Sequence, residues 1–234
     1  MTSGAPPTPE PVPDTSSPIA ASLLLALAVG SYAVSFGVLA LQAGLTQTQA
    51  CAMSLLVFTG ASQFAAVSVL QAGGSPLAAV GSALLLAARN TVYGLAMAPV
   101  IGGSRARRAV AAQFVIDEST AMSLAQPDHK GRIHAFWATG LGIFLFWNLG
   151  TLVGVLLGDK LGDPQRLGLD AAFPAGFVAL LVPHLAKRGG RATALLGGVG
   201  ALVLSPVLPT GAPILVAALA VLIGLRPDRA AVAS

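Results

Sequence analysis

Residues 15–88 contain no Asp, Glu, Lys, Arg or His. A water-soluble fold cannot hydrate so long a stretch of surface, whereas a bilayer-spanning helix needs about 20 apolar residues. That run has room for about three spans. Residues 192–225 are equally bare, and residues 133–158 hold one ionisable side chain, His134. Only 9% of the 234 residues are charged and 55% are hydrophobic, against about 25% charged in soluble domains. Such hydrophobicity also excludes a disordered chain. A closed β-barrel would alternate polar and apolar residues, and runs such as residues 20–29 are apolar on every face. The sequence therefore predicts an all-α, polytopic helical membrane protein.

The formal net charge is +4, but the basic residues sit in short loops between apolar runs. Arg105, Arg107 and Arg108 have no interleaved aromatics. They read as topogenic cytoplasmic charge, with no nucleic acid expected as a partner. The single cysteine, Cys51, allows no internal disulfide and reads as small core filler. Residues 1–18 are rich in Pro, Ser and Thr and lack Lys and Arg. Without the basic region of a signal peptide, they read as a disordered tail. One transmembrane domain is expected over residues 19–225, with a cytoplasmic tail over 226–234.

Gly, Pro and polar clusters divide the domain into about seven spans, near 19–41, 48–70, 76–101, 133–157, 171–186, 192–205 and 210–225. The loops at 102–108, 129–132 and 187–191 are basic, while those at 42–47, 71–75 and 206–209 are not. Placing basic loops inside predicts the N-terminus outside and the C-terminus cytoplasmic. Residues 109–124 join two basic loops and carry Asp117 and Glu118. They are expected to form a re-entrant or broken helix lining a cavity; a full crossing there would make eight spans. Pro206, Pro209, Gly211 and Pro213 interrupt the last apolar run. Such short, broken segments mark either transporter sites or tilted spans.

Arg89 is the residue that most directly suggests function. It lies in the middle of the 76–101 span, and an unpaired charge at the bilayer centre costs at least about 2.5–3.5 kcal/mol. It is expected to face the bundle interior, paired with Asp117 or Glu118. Adjacent helical residues point about 100° apart, so only one of the two acids can pair well. Such a pair either fixes packing or forms a substrate or proton site. Asn90 follows it, and Tyr93 stacks on the same face four residues on. In the second span, Thr59-Gly60-Ala61-Ser62-Gln63 is small and polar. A local unwinding there would expose backbone groups suited to a zwitterion, and plain small-residue packing is the alternative. Gly150, Gly154 and Gly158 form a double GxxxG stripe, a close-contact face for a helix of this chain or of another. His129, His134 and His184 lie near helix ends without metal-ligand spacing, and no nucleotide-binding loop occurs. No metal and no cofactor are expected.

These pieces together resemble the AzlC family, also called BrnF or YgaZ, the large subunits of bacterial branched-chain amino acid exporters. The resemblance spans about residues 20–225. It rests on Ser35-Phe36-Gly37-Val38-Leu39-Ala40, Gly44-Leu45, Phe58-Thr59-Gly60-Ala61-Ser62-Gln63-Phe64, and Arg89 with Tyr93-Gly94 and Pro99. Asp117-Glu118, Gly168-Leu169-Asp170, Phe173-Pro174 and Leu180-Leu181-Val182-Pro183 complete it. Two features depart from the pattern. Relatives typically carry Asn-x-Arg-His where this chain reads Ala87-Ala88-Arg89-Asn90, and Ala where it has Thr59.

The resemblance implies export of leucine, isoleucine, valine and often methionine across the bacterial cytoplasmic membrane, driven by the proton motive force. It also implies a small AzlD-type membrane subunit, for which the glycine stripe is a candidate docking face. Gly60, Ser62, Gln63, Arg89, Asn90 and Tyr93 would bind substrate, and Asp117 or Glu118 would relay protons. An enzyme is not expected. The competing readings are a non-transporting assembly subunit and an intramembrane serine protease built on Ser62 and His184.

Overall fold

The computed structural model describes residues 18–158, 178, 181–186, 188–208 and 212–220. The expected tail up to residue 17, the Gly168-Leu169-Asp170 and Phe173-Pro174 motifs, parts of the spans expected at 171–186 and 210–225, and the tail at 226–234 lie outside them. The described residues contain helices and no strand. Eight helices precede residue 159: α1 (Pro18–Gln42), α2 (Gln47–Leu56), α3 (Ala61–Gln71), α4 (Pro76–Ala87), α5 (Arg89–Ile101), α6 (Arg105–Ala112), α7 (Asp117–Leu124) and α8 (His129–Gly158). Helices at Arg188–Leu204 and Ala212–Ala218 follow a short 3₁₀ turn at Val182–Ala186. Among the described residues, three segments are long and apolar enough to cross a membrane, Ile19–Gln42, Pro76–Ile101 and His129–Gly158.

The two longest helices, α1 and α8, form the axis of the molecule. Ser22 meets Thr139 at 2.8 Å across a sequence separation of 117 residues. Ala26 then faces Gly142, Ala33 faces Gly150, Gly37 faces Gly154 and Leu41 faces Gly158. A nearly constant separation along the whole contact means that the helices run parallel. Their small residues explain the close approach. A β-carbon on Gly150 would lie 2.9 Å from that of Ala33 and would collide with the Gly30 carbonyl, and one on Gly154 would meet the Val34 carbonyl. Backbones approach this closely where small residues line both helices. The stripe expected to dock a partner subunit is therefore filled by α1 of the same chain.

The segment expected to span at 48–70 does something else. Gln47 at the start of α2 donates to the Val155 carbonyl (3.5 Å), near the end of α8. Ser54 meets Thr151 (3.0 Å), and the Phe58 ring lies 5.1 Å from Phe144. The chain then turns back. Phe64 packs 4.9 Å from Tyr32 and 5.7 Å from Phe36, and Gln71 donates to the Leu39 carbonyl (3.2 Å), near the end of α1. Both ends of α2–α3 thus lie at the same face. From Val155 to Phe144 the descent is about 16 Å by helix rise, roughly half of a hydrocarbon core of about 30 Å. This is a re-entrant hairpin, not a span.

A second hairpin enters from the opposite face. α6 and α7 flank a non-helical stretch at 113–116, where Phe114 packs against Gly140 and lies 5.6 Å from both Trp137 and Phe144. The return leg ends where Ser123 donates to the Arg132 carbonyl (2.9 Å) and Arg132 Nε to the Gln126 carbonyl (2.9 Å), beside the start of α8. Asp128 caps that start by accepting from Gly131 N–H (2.8 Å), and these backbone donors hold its carboxyl below the usual carboxylate range. The segment expected to be broken at 109–124 is broken, with its turn at 113–116.

This arrangement corrects the expected topology. Reading 48–70 as a span put the N-terminus and the basic loops on opposite faces. One crossing fewer reverses that parity, and the parallel packing of α1 on α8 places the start of α1 on the face of the basic residues around Lys130 and Arg132. The two hairpin tips meet in the interior, where the Phe58 and Phe114 rings are 6.5 Å apart and Gln113 Nε2 donates to the Leu55 carbonyl (2.9 Å).

Candidate functional site

The local sequence explains each tip. In the first, Gly60 adopts φ +41°, a region that side chains beyond glycine rarely occupy. A β-carbon there would also come within 3.3 Å of Trp147 Cη2. Thr59 Oγ1 donates to the Val57 carbonyl (3.0 Å), satisfying a carbonyl left over at the end of α2. The second tip has no glycine. Ser119 stitches it instead, donating to the Phe114 carbonyl (2.5 Å) and accepting from Ile116 N–H (3.2 Å). Each hairpin therefore returns as a helix whose N-terminus is at the tip, in the middle of the structure.

A cavity of about 340 Å³ opens between the tips. Phe58, Thr59, Gly60, Ala61 and Phe64 line it from the first hairpin, and Ile116, Asp117 and Glu118 from the second. Ala28, Val29 and Tyr32 of α1, Arg89 and Asn90 of α5, and Ile143 and Trp147 of α8 complete the wall. Arg89, Asp117 and Glu118 make the wall charged, Thr59 and Asn90 add neutral polar groups, and most of the rest is aromatic or aliphatic. Tyr32, Phe64 and Trp147 pack on one another, with centroids 4.9–6.4 Å apart.

Arg89 NH1 donates to Asp117 Oδ2 at 2.5 Å. The ladder of the Pro76–Ile101 segment is interrupted one residue earlier, where Thr91 N–H turns to the Ala88 carbonyl (3.1 Å). The N-termini of α3 and α7 both point at the cavity, and each carries a partial positive charge of about one half. No side chain caps α3, whereas the first turn of α7 bears Asp117 and Glu118. Glu118 forms no ion pair among the described residues, and its carboxylate accepts from its own backbone N–H. Three polar atoms of the wall, Arg89 Nε, Asn90 Oδ1 and Trp147 Nε1, are buried without a partner among the described residues.

Of the residues singled out from the sequence, Gly60, Arg89, Asn90, Asp117 and Glu118 come together at this cavity. Ser62 and Gln63 do not line it. Both are fully buried behind the tip, with Ser62 Oγ and both amide atoms of Gln63 unpartnered among the described residues. Tyr93 packs against the main core and stands outside the wall. Sequence reasoning missed Tyr32 and Trp147. A signal existed, since the chain has only two Tyr and two Trp and these two sit inside apolar runs, away from the helix ends where such residues usually collect. Among the described residues, no group of His, Cys, Asp and Glu is arranged to hold a metal.

Residues 25–161 match the family model described as AzlC protein. A membrane protein of Archaeoglobus fulgidus is 32% identical over 80% of this chain and 83% of its own length. One of Helicobacter pylori is 28% identical over 70% of this chain and 72% of its own. The branched-chain amino acid transport protein AzlC of Bacillus subtilis is 27% identical over 82% and 76%. No solved structure matches the chain.

Proposed function

This chain belongs to the AzlC family of multi-pass membrane proteins, and from that premise we propose that it is a secondary transporter exporting branched-chain amino acids. Leucine, isoleucine and valine, and often methionine, would leave across the cytoplasmic membrane at the expense of the proton motive force. The observation that carries this reading is the cavity itself, in which the Arg89–Asp117 pair and Glu118 meet aromatic and aliphatic walls between two re-entrant tips. Discontinuous helices with N-termini at mid-membrane are how secondary transporters bind small charged substrates.

The substrate carboxylate would lie between Arg89, Asn90 and the uncapped start of α3 at Gly60. Its ammonium would lie toward Asp117 and Glu118, and its branched chain against Tyr32, Phe64, Ile143 and Trp147. One methylene in such a pocket is worth about 1–3 kcal/mol, so overlapping use of several aliphatic amino acids follows. Ser62, Gln63 and Tyr93 would act from behind the wall by holding the first hairpin and α5. The face bearing Arg105, Arg107, Arg108, Lys130 and Arg132 would be cytoplasmic, and with it the N-terminus.

An AzlD-type small subunit would complete the exporter, docked on a face other than the glycine stripe. A non-transporting assembly role is the second reading, and reconstitution of each subunit alone separates the two. A serine protease gains no support, because Ser62 is sealed from the cavity. In the deciding experiment, cells are loaded with leucine-containing dipeptides with and without this chain and its small partner. The chain should lower intracellular leucine, and Arg89→Ala should abolish that effect. Unchanged export by Arg89→Ala would remove the assigned role.

A further inference from the structure

If the chain is the exporter proposed above, some group in the cavity must exchange protons. Four titratable side chains border it: Tyr32 of α1, Arg89 of α5, and Asp117 and Glu118 of α7. The first tip, α3 and α8 contribute none, and Tyr93 stands behind Arg89 outside the wall. Tyrosine and arginine side chains ordinarily hold their protons well above the pH range a cell can use. The two carboxylates remain, and the structure separates them. Asp117 is engaged by Arg89 at 2.5 Å, so its charge already has a counter-charge. Glu118 is about 100° further round α7. It faces the cavity without an ion pair among the described residues, and its carboxylate accepts from its own backbone N–H.

We propose that Glu118 is the one group for which a proton and the substrate ammonium compete, and that this competition couples export to proton entry. On the cytoplasmic side, Glu118 gives its proton to water, which leaves as hydronium, and the carboxylate takes the amino acid ammonium. On the outer side a hydronium returns a proton to the carboxylate and leaves as water. The ammonium then has no counter-charge and the zwitterion departs. One proton enters for each zwitterion exported, and the Arg89–Asp117 pair stays neutral throughout.

The test is binding of radiolabelled L-leucine by the full-length protein purified together with its small partner subunit between pH 5 and 8, with leucine flux in proteoliposomes of the same pair under an imposed pH gradient. In the wild type, the leucine Kd should rise toward tenfold per pH unit below the point at which Glu118 protonates. Glu118→Gln should bind more weakly, show no pH dependence, and fail to concentrate leucine against a gradient. Glu118→Asp tests the same claim in a milder variant. It should keep the competition, displaced downward by about 0.4 pH units, the ordinary difference between the two side chains. A wild-type pH slope in Glu118→Gln, or no slope in the wild type, would overturn the inference and leave transport standing. A wild type that neither binds nor moves leucine at any pH would overturn the transport reading and the coupling with it.

Discussion

The tip at residues 57–60 turns on a glycine at φ +41° and presents no ionisable group to the cavity. The tip at 113–116 turns on ordinary backbone, with Ile116 at φ −125°, and sets Asp117 and Glu118 on the helical turn behind it. Both hairpins penetrate to the middle and return as a helix pointing its N-terminus inward. The difference lies in how each helix end is treated. The second tip meets its partial positive charge with its own carboxylates, a stabilising arrangement. The first leaves the end of α3 uncapped and open to the cavity, which suits it to an anionic group arriving from outside. One tip supplies negative charge and the other attracts it, a division suited to a zwitterion.

The largest test of that division is to remove the acid paired with Arg89. Asp117→Asn leaves a guanidinium unpaired near the bilayer centre, at a cost of at least about 2.5–3.5 kcal/mol. Folded, membrane-inserted protein should fall several-fold in fluorescence-detected size exclusion, and leucine export should vanish. Arg89→Ala combined with Asp117→Ala removes both charges and should recover folding without export. Recovery of export by the double variant would mean that the pair only fixes packing.

How much of this was legible in the sequence follows from which residues are conspicuous in an apolar background. A lone cation in the middle of an apolar run must find an acid, so Arg89 and the acidic hairpin could be read together. The first hairpin could not be read, because a helix that enters halfway and returns has the same length and hydrophobicity as one that crosses. Only Thr59-Gly60 marked it, and those residues fit a local unwinding equally well. That single ambiguity also set the start of α1 on the face opposite the basic loops. The glycine stripe was legible as a surface of close approach. Its true counterpart, Ala26, Gly30, Ala33 and Gly37 on α1, has matching spacing but lacked a charge or polar cluster to draw attention to it.

A middle-sized test addresses why the first tip needs glycine and the second does not. Gly60→Ala puts a β-carbon on backbone at φ +41°, and against Trp147 at 3.3 Å. A non-glycine residue in such a region costs about 1–3 kcal/mol, and displacing Trp147 disturbs the cavity wall as well. Thermal stability should drop by that amount and leucine affinity by tenfold or more. At the corresponding position of the second tip, Ile116→Val should cost about 0.5–1.5 kcal/mol, with affinity little changed. Equal losses at the two positions would show that the tips differ in sequence alone.

The finest test compares the hydroxyls that hold the turns. Ser119 is fully buried and serves both the Ile116 N–H and the Phe114 carbonyl. Ser119→Ala removes a buried hydroxyl bond at each end of the turn and leaves Ile116 N–H with the Phe114 carbonyl (3.1 Å) as acceptor, a loss of about 0.5–1.5 kcal/mol per bond. Thr59 borders the cavity and only donates, to the Val57 carbonyl. In Thr59→Val, water in the cavity can take over that carbonyl, so the loss should stay below about 0.5 kcal/mol. Hydrogen exchange at 113–120 should accelerate in Ser119→Ala, while exchange at 57–64 in Thr59→Val stays near that of the wild type. The opposite ranking would mean that the first tip is the rigid one, held by its hydroxyl, and that the acidic hairpin moves to admit substrate.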